Sequence, residues 1–461
     1  MLVYVQKYIA LKMWSLTKNS HIPATAKNVT IGNGYDLPLP DLPNTIIRLD
    51  FGLFDIELKD STLPRRLEYL DLGFRYSHMI RSSLFPGTLR TLILSYVYDK
   101  CLKVGSLPKN LVKLSIGYMY EHDFDPNIFP DTLKILIINT KKAIKFNEQT
   151  LPPHLEKLSL CDGYSSELTR ICLPPTISKL SMRKIDANDI KFLNIPTVLA
   201  KLAVTIEKPV ELKFDMFPEY LEILHITAAA NLCIIGTDSF PIGLIKLRLE
   251  GKFNESIHFS MFPQSLTHLK LVNYNPIHLD EFSFPESLES LELANYKCHV
   301  RENLFPANLK SLDIRIINHA DNNCFPRNLR ILKLDYANSA VADGLILPDS
   351  LKYLEMSRNI FRGLHADMQS LPSSLEYICV NDIYLLKMFN DNPDKHYYSI
   401  ICSTNLLHKV PISFPVLYPD HLSFDESFQV LGTEVVNGQR YVKLIDPENY
   451  IIRTRAKSAN K

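Results

Sequence analysis

One dipeptide governs what this chain can fold into: a large apolar residue followed by proline, recurring at Pro23, Pro43, Pro64, Pro86, Pro108, Pro130, Pro152, Pro174, Pro196, Pro218, Pro241, Pro263, Pro285, Pro306, Pro326, Pro348 and Pro372. Neighbouring prolines lie 20 to 24 residues apart, mostly 22. We number each repeat from its proline, so that +n is n residues further on. Of the 68 residues at −1, +3, +6 and +8, 67 are Leu, Ile, Val, Phe or Met, the exception being Ala26. In a chain that is 46% hydrophobic overall, that regularity is imposed by a packed interior.

The spacing inside the unit dictates its conformation. Positions +6 and +8 are two apart, so a pair such as Leu291 and Leu293 points to one side of a short strand while Glu292 points to the other. Proline holds itself and the apolar residue before it in extended backbone, which excludes a helix start there. A unit of 22 residues cannot bury its own apolar positions, so neighbours must stack, with one strand per repeat pairing in parallel about 4.8 Å apart. The expected fold is therefore a β-rich, curved, leucine-rich-repeat-like solenoid of about 17 repeats over residues 22–382. Seventeen strands at that spacing predict a sheet arc of roughly 80 Å.

The units resemble a named family more closely than the general leucine-rich pattern. A unit of the form LPxSLxxLxL, an aromatic-Asn pair such as Phe253-Asn254, Tyr274-Asn275 or Phe146-Asn147, and post-strand glycines at Gly52, Gly73 and Gly117 are together similar to the FNIP repeat. That repeat is a leucine-rich-repeat relative of amoebae and of the large viruses that infect them. The resemblance implies a protein-binding scaffold, and for a viral chain a place in the host cytoplasm. Most repeats here lack the Phe-Asn pair, and the asparagine ladder of ordinary leucine-rich repeats is missing. Some family members carry an N-terminal F-box, but about 20 residues precede the first repeat, half of what an F-box needs.

Outside the repeats, residues 1–21 and 383–461 read as ends. Leu2, Val5, Ile9, Met13 and Leu16 fall at helical spacing, a stripe suited to capping the first repeat. In the tail, VLGTEVVNGQRYVKLID sets Asn437-Gly438 between two strand-like runs, a hairpin signal. A C-terminal cap or small β module is expected there. The end repeat leaves Leu375, Ile378 and Val380 with no following repeat, so a segment after Asp382 must cover them.

Function should sit on the outward strand positions, +5 and +7, which line the concave face. The +5 column reads Lys113, Ile135, Lys157, Lys179, Lys201, Ile223, Lys246, a lysine rail interrupted twice. The +7 column is neutral from Ile93 through Ser115, Ile137, Ser159 and Ser181 to Ala203, then polar or charged from His225 onward. Candidate partner-binding residues are thus Lys113, Lys157, Lys179, Lys201, Lys246, Ile93 and Ile137, and the expected partner is a protein with acidic character. With 51 Lys and Arg against 50 Asp and Glu, the chain has no global field to draw nucleic acid or an anionic membrane. No stretch approaches 18 uninterrupted apolar residues.

No chemistry-bearing motif appears. Glycine is only 15 of 461, phosphate-cradling glycine loops are absent, and GxSxG, HExxH and paired Cys-His signatures are missing, so neither an enzyme nor a cofactor is expected. Eight dispersed cysteines without a CxxC pair read as reduced thiols and a cytoplasmic setting. His278, Cys298, His299, His319 and Cys324 occupy nearly equivalent places in three successive repeats but lack zinc-ligand spacing, and no metal is expected. The expected protein is a monomeric, non-catalytic interaction scaffold. The alternative is an adapter that carries a captured protein to a ubiquitin ligase through a terminal segment.

Overall fold

In a computed structural model of the chain, each repeat proline does the same backbone job. Its carbonyl accepts the amide of the +3 residue, from Ala26 on Pro23 to Leu375 on Pro372, at 2.9–3.2 Å in every repeat. The proline therefore opens a tight turn whose two central residues face solvent, and the turn delivers the +3 side chain inward. Described are residues 13–161 apart from 19–21, 33, 142 and 146–149, the proline-to-strand arm of each repeat between 173 and 380, and strands at 399–401, 429–436 and 439–445. Two units are distinguished, Leu11–Glu255 and a second containing Ser256–Lys461.

The first unit holds β1 (Met13–Leu16), β2 (Asn28–Ile31), β3 (Arg48–Asp50), β4 (Tyr69–Asp71), β5 (Thr91–Ile93), β6 (Lys113–Ile116), β7 (Ile135–Ile138), β8 (Lys157–Leu160), β9 (Lys179–Ile185), β10 (Lys201–Ile206), β11 (Ile223–Ala228) and β12 (Lys246–Gly251). Each pairs in parallel with the next, and the register keeps equivalent repeat positions side by side, as in Leu158 beside Leu180 and Leu180 beside Leu202. The +3, +6 and +8 columns are buried throughout; Leu89, Leu92 and Leu94 are typical at 0–2% exposure. This is the parallel solenoid that the period predicts, with one strand in each repeat.

At the N-terminus the spacing misleads. Met13 and Leu16, placed on a helical stripe by the sequence, lie on β1, which pairs in parallel with β2 from Met13–Asn28 to Leu16–Ile31. The physical reason is the open edge of β2, whose backbone groups a strand can satisfy and a helix cannot. Leu2, Val5 and Ile9 lie outside the described residues.

In the second unit β13 (His268–Asn273), β14 (Ser290–Ala294), β16 (Ser311–Ala320), β17 (Ile331–Ala337), β18 (Tyr353–Met356) and β19 (Tyr377–Val380) continue the one-per-repeat pattern. A short β15 (Cys298–Val300) adds a second pairing along the C-terminal half of β16. After the last repeat, β20 (Ser399–Ile401) pairs in parallel with β19 and takes its edge. Finally β21 (Gln429–Val436) and β22 (Gln439–Ile445) form an antiparallel pair closing on Val436 and Gln439, the hairpin that Asn437-Gly438 announces. No helix among the described residues is long and apolar enough to cross a membrane.

The turn after the strand changes along the first unit. Gly52 and Gly73, at +9, turn the chain with φ of 54° and 66°, and each amide is accepted by the aspartate two residues back, Asp50 and Asp71. At Gly73 a Cβ would stand 2.1 Å from the Gly52 carbonyl oxygen, and at Gly117 1.8 Å from that of Ser95. Successive turns therefore nest closely. From β9 onward the +9 residue is never glycine, and from β9 to β14 the strands run on to five or more residues, as in β9, β10 and β11.

The nested turns align aromatic side chains in two rows. Tyr76, Tyr98 and Tyr120, at +12, are fully buried, and each hydroxyl accepts an amide from the preceding repeat: Leu58 at 3.5 Å, Ile80 at 3.4 Å and Leu102 at 3.2 Å. Burial raises all three, Tyr98 to about 12. Phe74, Tyr96 and Tyr118, at +10, are exposed and stack at 4.7 and 5.0 Å, within 12° of parallel.

Candidate interaction surface

The pairing register turns the sequence columns into rows in space. On the outward face Lys113 lies beside Ile135 and Ile135 beside Lys157, and then Lys157, Lys179 and Lys201 occupy directly partnered positions on β8, β9 and β10. Ile223 and Lys246 continue the row on β11 and β12. Lys179, Lys201 and Lys246 are exposed, and Lys113 and Lys157 half-buried. In the parallel row at +7, Ile93, Ser115, Ile137, Ser159, Ser181 and Ala203 are all half-buried and uncharged. All seven candidate residues thus share one strand face of the first unit.

Three like charges in register repel one another, by roughly 0.2–1 kcal/mol for each directly opposed pair. Among the described residues no carboxylate pairs with Lys113, Lys157, Lys179, Lys201 or Lys246. Glu156, next in sequence to Lys157, turns the other way and bonds Lys134 at 2.7 Å. In the second unit the outward charges fall at +7 instead, and two pairs of them form between neighbouring repeats: Lys270 with Glu292, and Lys333 with Glu355 at 3.3 Å. Between these patterns lies His225, 3.7 Å from Glu250, which Arg248 also holds. Burial foremost, then Arg248, depresses the His225 imidazole, so its neutral form is favoured and it adds little to the positive row.

Sequence reasoning left two things out. One is the acidic start of the +7 row, where Asp50 and Asp71 face outward beside Arg48, whose guanidinium lies 3.8 Å from the Tyr69 ring centre. Burial foremost raises the Asp71 carboxyl. The other is how neighbouring turns are tied together without an asparagine ladder. The +2 residue does it: Thr88 donates to the carbonyls of Arg65 and Leu67, Thr132 to Lys109 and Leu111, and Thr176 to Pro153 and Leu155, at 2.7–3.1 Å. Asn110, Asn308 and Asn328 donate similarly to the preceding +1 carbonyl at 3.0 Å. The signal was present, since Thr, Ser or Asn fills +2 in most repeats.

His299 and His319 occupy partnered backbone positions on β15 and β16, and Cys324 is buried. His278 lies outside the described residues. Among the described residues no group of three His, Cys, Asp or Glu side chains is arranged to hold a metal ion.

Comparison with known proteins bears on the repeat and the fold. The FNIP Repeat family model matches residues 76–119, 98–141 and 231–274. None of the curated proteins matches in sequence. Among solved structures, the chain is similar to CroV588, a giant-virus protein described as a novel circular LRR protein, at 21% identity and a TM-score of 0.52, over 78% of this chain and 61% of that one. The chain therefore spans less than two thirds of the length of that structure. The mouse RP105/MD-1 complex matches at 13% identity over 78% of this chain and 93% of that one, with a TM-score of 0.31 that supports no comparison of detail. The chain thus carries segments that match the FNIP repeat at residues 76–141 and 231–274, set in a strand-per-repeat stack whose fold is similar to that of a solved leucine-rich-repeat structure.

Proposed function

We propose that the protein is a non-catalytic interaction scaffold that binds an acidic protein partner on the outward strand face of the first unit, the concave face of such a solenoid. The observation that carries this reading is the row Lys157, Lys179, Lys201: three cations in register with no neutralising carboxylate among the described residues. Such a row costs stability without contributing to the core, whereas the second unit pairs its outward charges. The leucine-rich-repeat-like architecture supports the scaffold reading, because solenoids present long continuous surfaces suited to binding. The ligase-adapter alternative has no observation of its own to favour it.

The test is charge reversal. Lys157→Glu, Lys179→Glu and Lys201→Glu together are expected to abolish capture of the partner from host-cell extract, while circular dichroism is unchanged. Undiminished capture would refute an acidic partner on this face.

A further inference from the structure

The lysine row has a period as well as a charge, and a period selects a shape of partner. Stacked rings in the same unit stand 4.7 and 5.0 Å apart from one repeat to the next, matching the strand spacing of about 4.8 Å. Lys157, Lys179 and Lys201 therefore offer cations at steps of about 4.8 Å along a line crossing the strands, roughly 10 Å from first to last. An α-helix lying along that line brings a side chain to one face every turn of about 5.4 Å, roughly 11 Å over two turns. The mismatch of about 1 Å is well within the reach of a lysine side chain. An extended segment repeats a face only every 6.6–6.8 Å or so, roughly 13 Å over two steps, and loses register.

The floor beside the row has the matching form. Ser159, Ser181 and Ala203 carry small side chains and run parallel to the lysines two residues further along each strand. A cylinder about 10 Å across can lie on this low strip with the lysine stems along one side. The uncharged floor from Ile93 to Ala203 crosses five strand steps, about 24 Å, or about 16 residues of helix. A nucleic acid is the poorer fit, because the described outward side chains of β8–β10 include no aromatic ring on which a base could stack.

We infer that the partner is presented to strands β8–β10 as an α-helix carrying acidic side chains one turn apart, at i, i+3 or i+4, and i+7. This rests on the acidic-partner reading, and the experiment separates the two. Its probe is a fluorescein-labelled 16-residue peptide, hydrocarbon-stapled as a helix, with three glutamates one turn apart. It is titrated by anisotropy against the full-length protein, beside an isomer of identical composition with the glutamates spread around the helix and a 16-nucleotide oligo-dT. The aligned peptide is expected to bind at least tenfold more tightly than the isomer, to weaken as salt rises, and to lose its advantage on the Lys157→Glu, Lys179→Glu, Lys201→Glu protein. Reversal of Lys100, Lys103 and Lys109, exposed on the connecting segments, should leave binding intact. Glutamine at the same three rail positions replaces glutamate if the reversed protein fails to fold.

Equal binding of both peptides, abolished by rail reversal, would overturn the helix while leaving an acidic partner in place. Binding indifferent to the rail would overturn both. Tighter rail-dependent binding of oligo-dT, or no binding by any probe, would overturn the helix.

Discussion

Tyr76, Tyr98 and Tyr120 show how much a single buried hydroxyl does in a repeat too small to satisfy its own backbone. Each accepts a loop amide from the preceding repeat, and the shortest contact is at Tyr120. Removing the acceptor leaves a buried N–H unsatisfied, at about 1–3 kcal/mol. Tyr120→Phe should therefore lower stability by that order, and Tyr76→Phe, with the longest contact, by less; chemical denaturation of the two variants checks the ranking. The same burial makes the fold sensitive to alkali. Because the Tyr98 hydroxyl is raised from 10.0 to about 12 in the folded chain, the unfolded chain releases that proton first. The stability contributed by the neutral tyrosine is thus complete below pH 10 and lost as pH climbs from 10 through about 12. Denaturation midpoints should fall across that window as tyrosinate absorbance rises. At the rail the sign is opposite: Lys179→Gln relieves repulsion on both sides and should raise stability by roughly 0.2–1 kcal/mol. The lysine columns were legible in the sequence because a fixed register needs only a period. That they stand without carboxylates was not, because Glu156 adjoins Lys157 in the chain yet bonds Lys134.

At the level of the element, the strand was legible and its termination only partly so. Alternation at +6 and +8 predicts a two-faced strand, and the buried columns bear it out. Gly73 and Gly117 had a visible place after the strand, but the need for them arises from the neighbouring turn, whose carbonyl oxygen occupies the space a Cβ would take. Gly73→Ala should accordingly cost more than about 2 kcal/mol, combining a left-handed backbone with a collision against backbone atoms. Gly87→Ala, where nothing stands within 4 Å, should fall within about 0.5 kcal/mol of the parent. Thermal melts of the pair suffice. The N-terminal stripe was misread for a related reason: its helical spacing described residues 2–16 in isolation, whereas Met13–Leu16 answer to the open edge of β2. Local periodicity cannot report an unsatisfied neighbour.

For the molecule as a whole, the solenoid was readable from one dipeptide because stacking repeats the same solution many times. The C-terminal end required a different inference, from what an uncovered edge would cost to a segment that covers it. Ser399–Ile401 supplies backbone pairing to Tyr377–Cys379, so a chain cut after Val380 should aggregate or melt well below the parent, whereas removal of 455–461 should leave the melt unchanged. Size-exclusion chromatography and scanning fluorimetry distinguish these outcomes. The site was half-legible: the columns and their register came from the period, while the contrast between unpaired and paired rows needed the side chains in place.

The hydroxyl ties between turns carry an implication for how such a chain changes over generations. Every one reaches back a single repeat: Thr88 to Arg65 and Leu67, Thr132 to Lys109 and Leu111, Thr176 to Pro153 and Leu155. A gene that gained or lost a 22-residue stretch by unequal recombination would present the same donors to the same acceptors at the new junction. Length is then nearly free to drift, and the lysine row with it, so that the reach of the surface can be inherited as a count of copies.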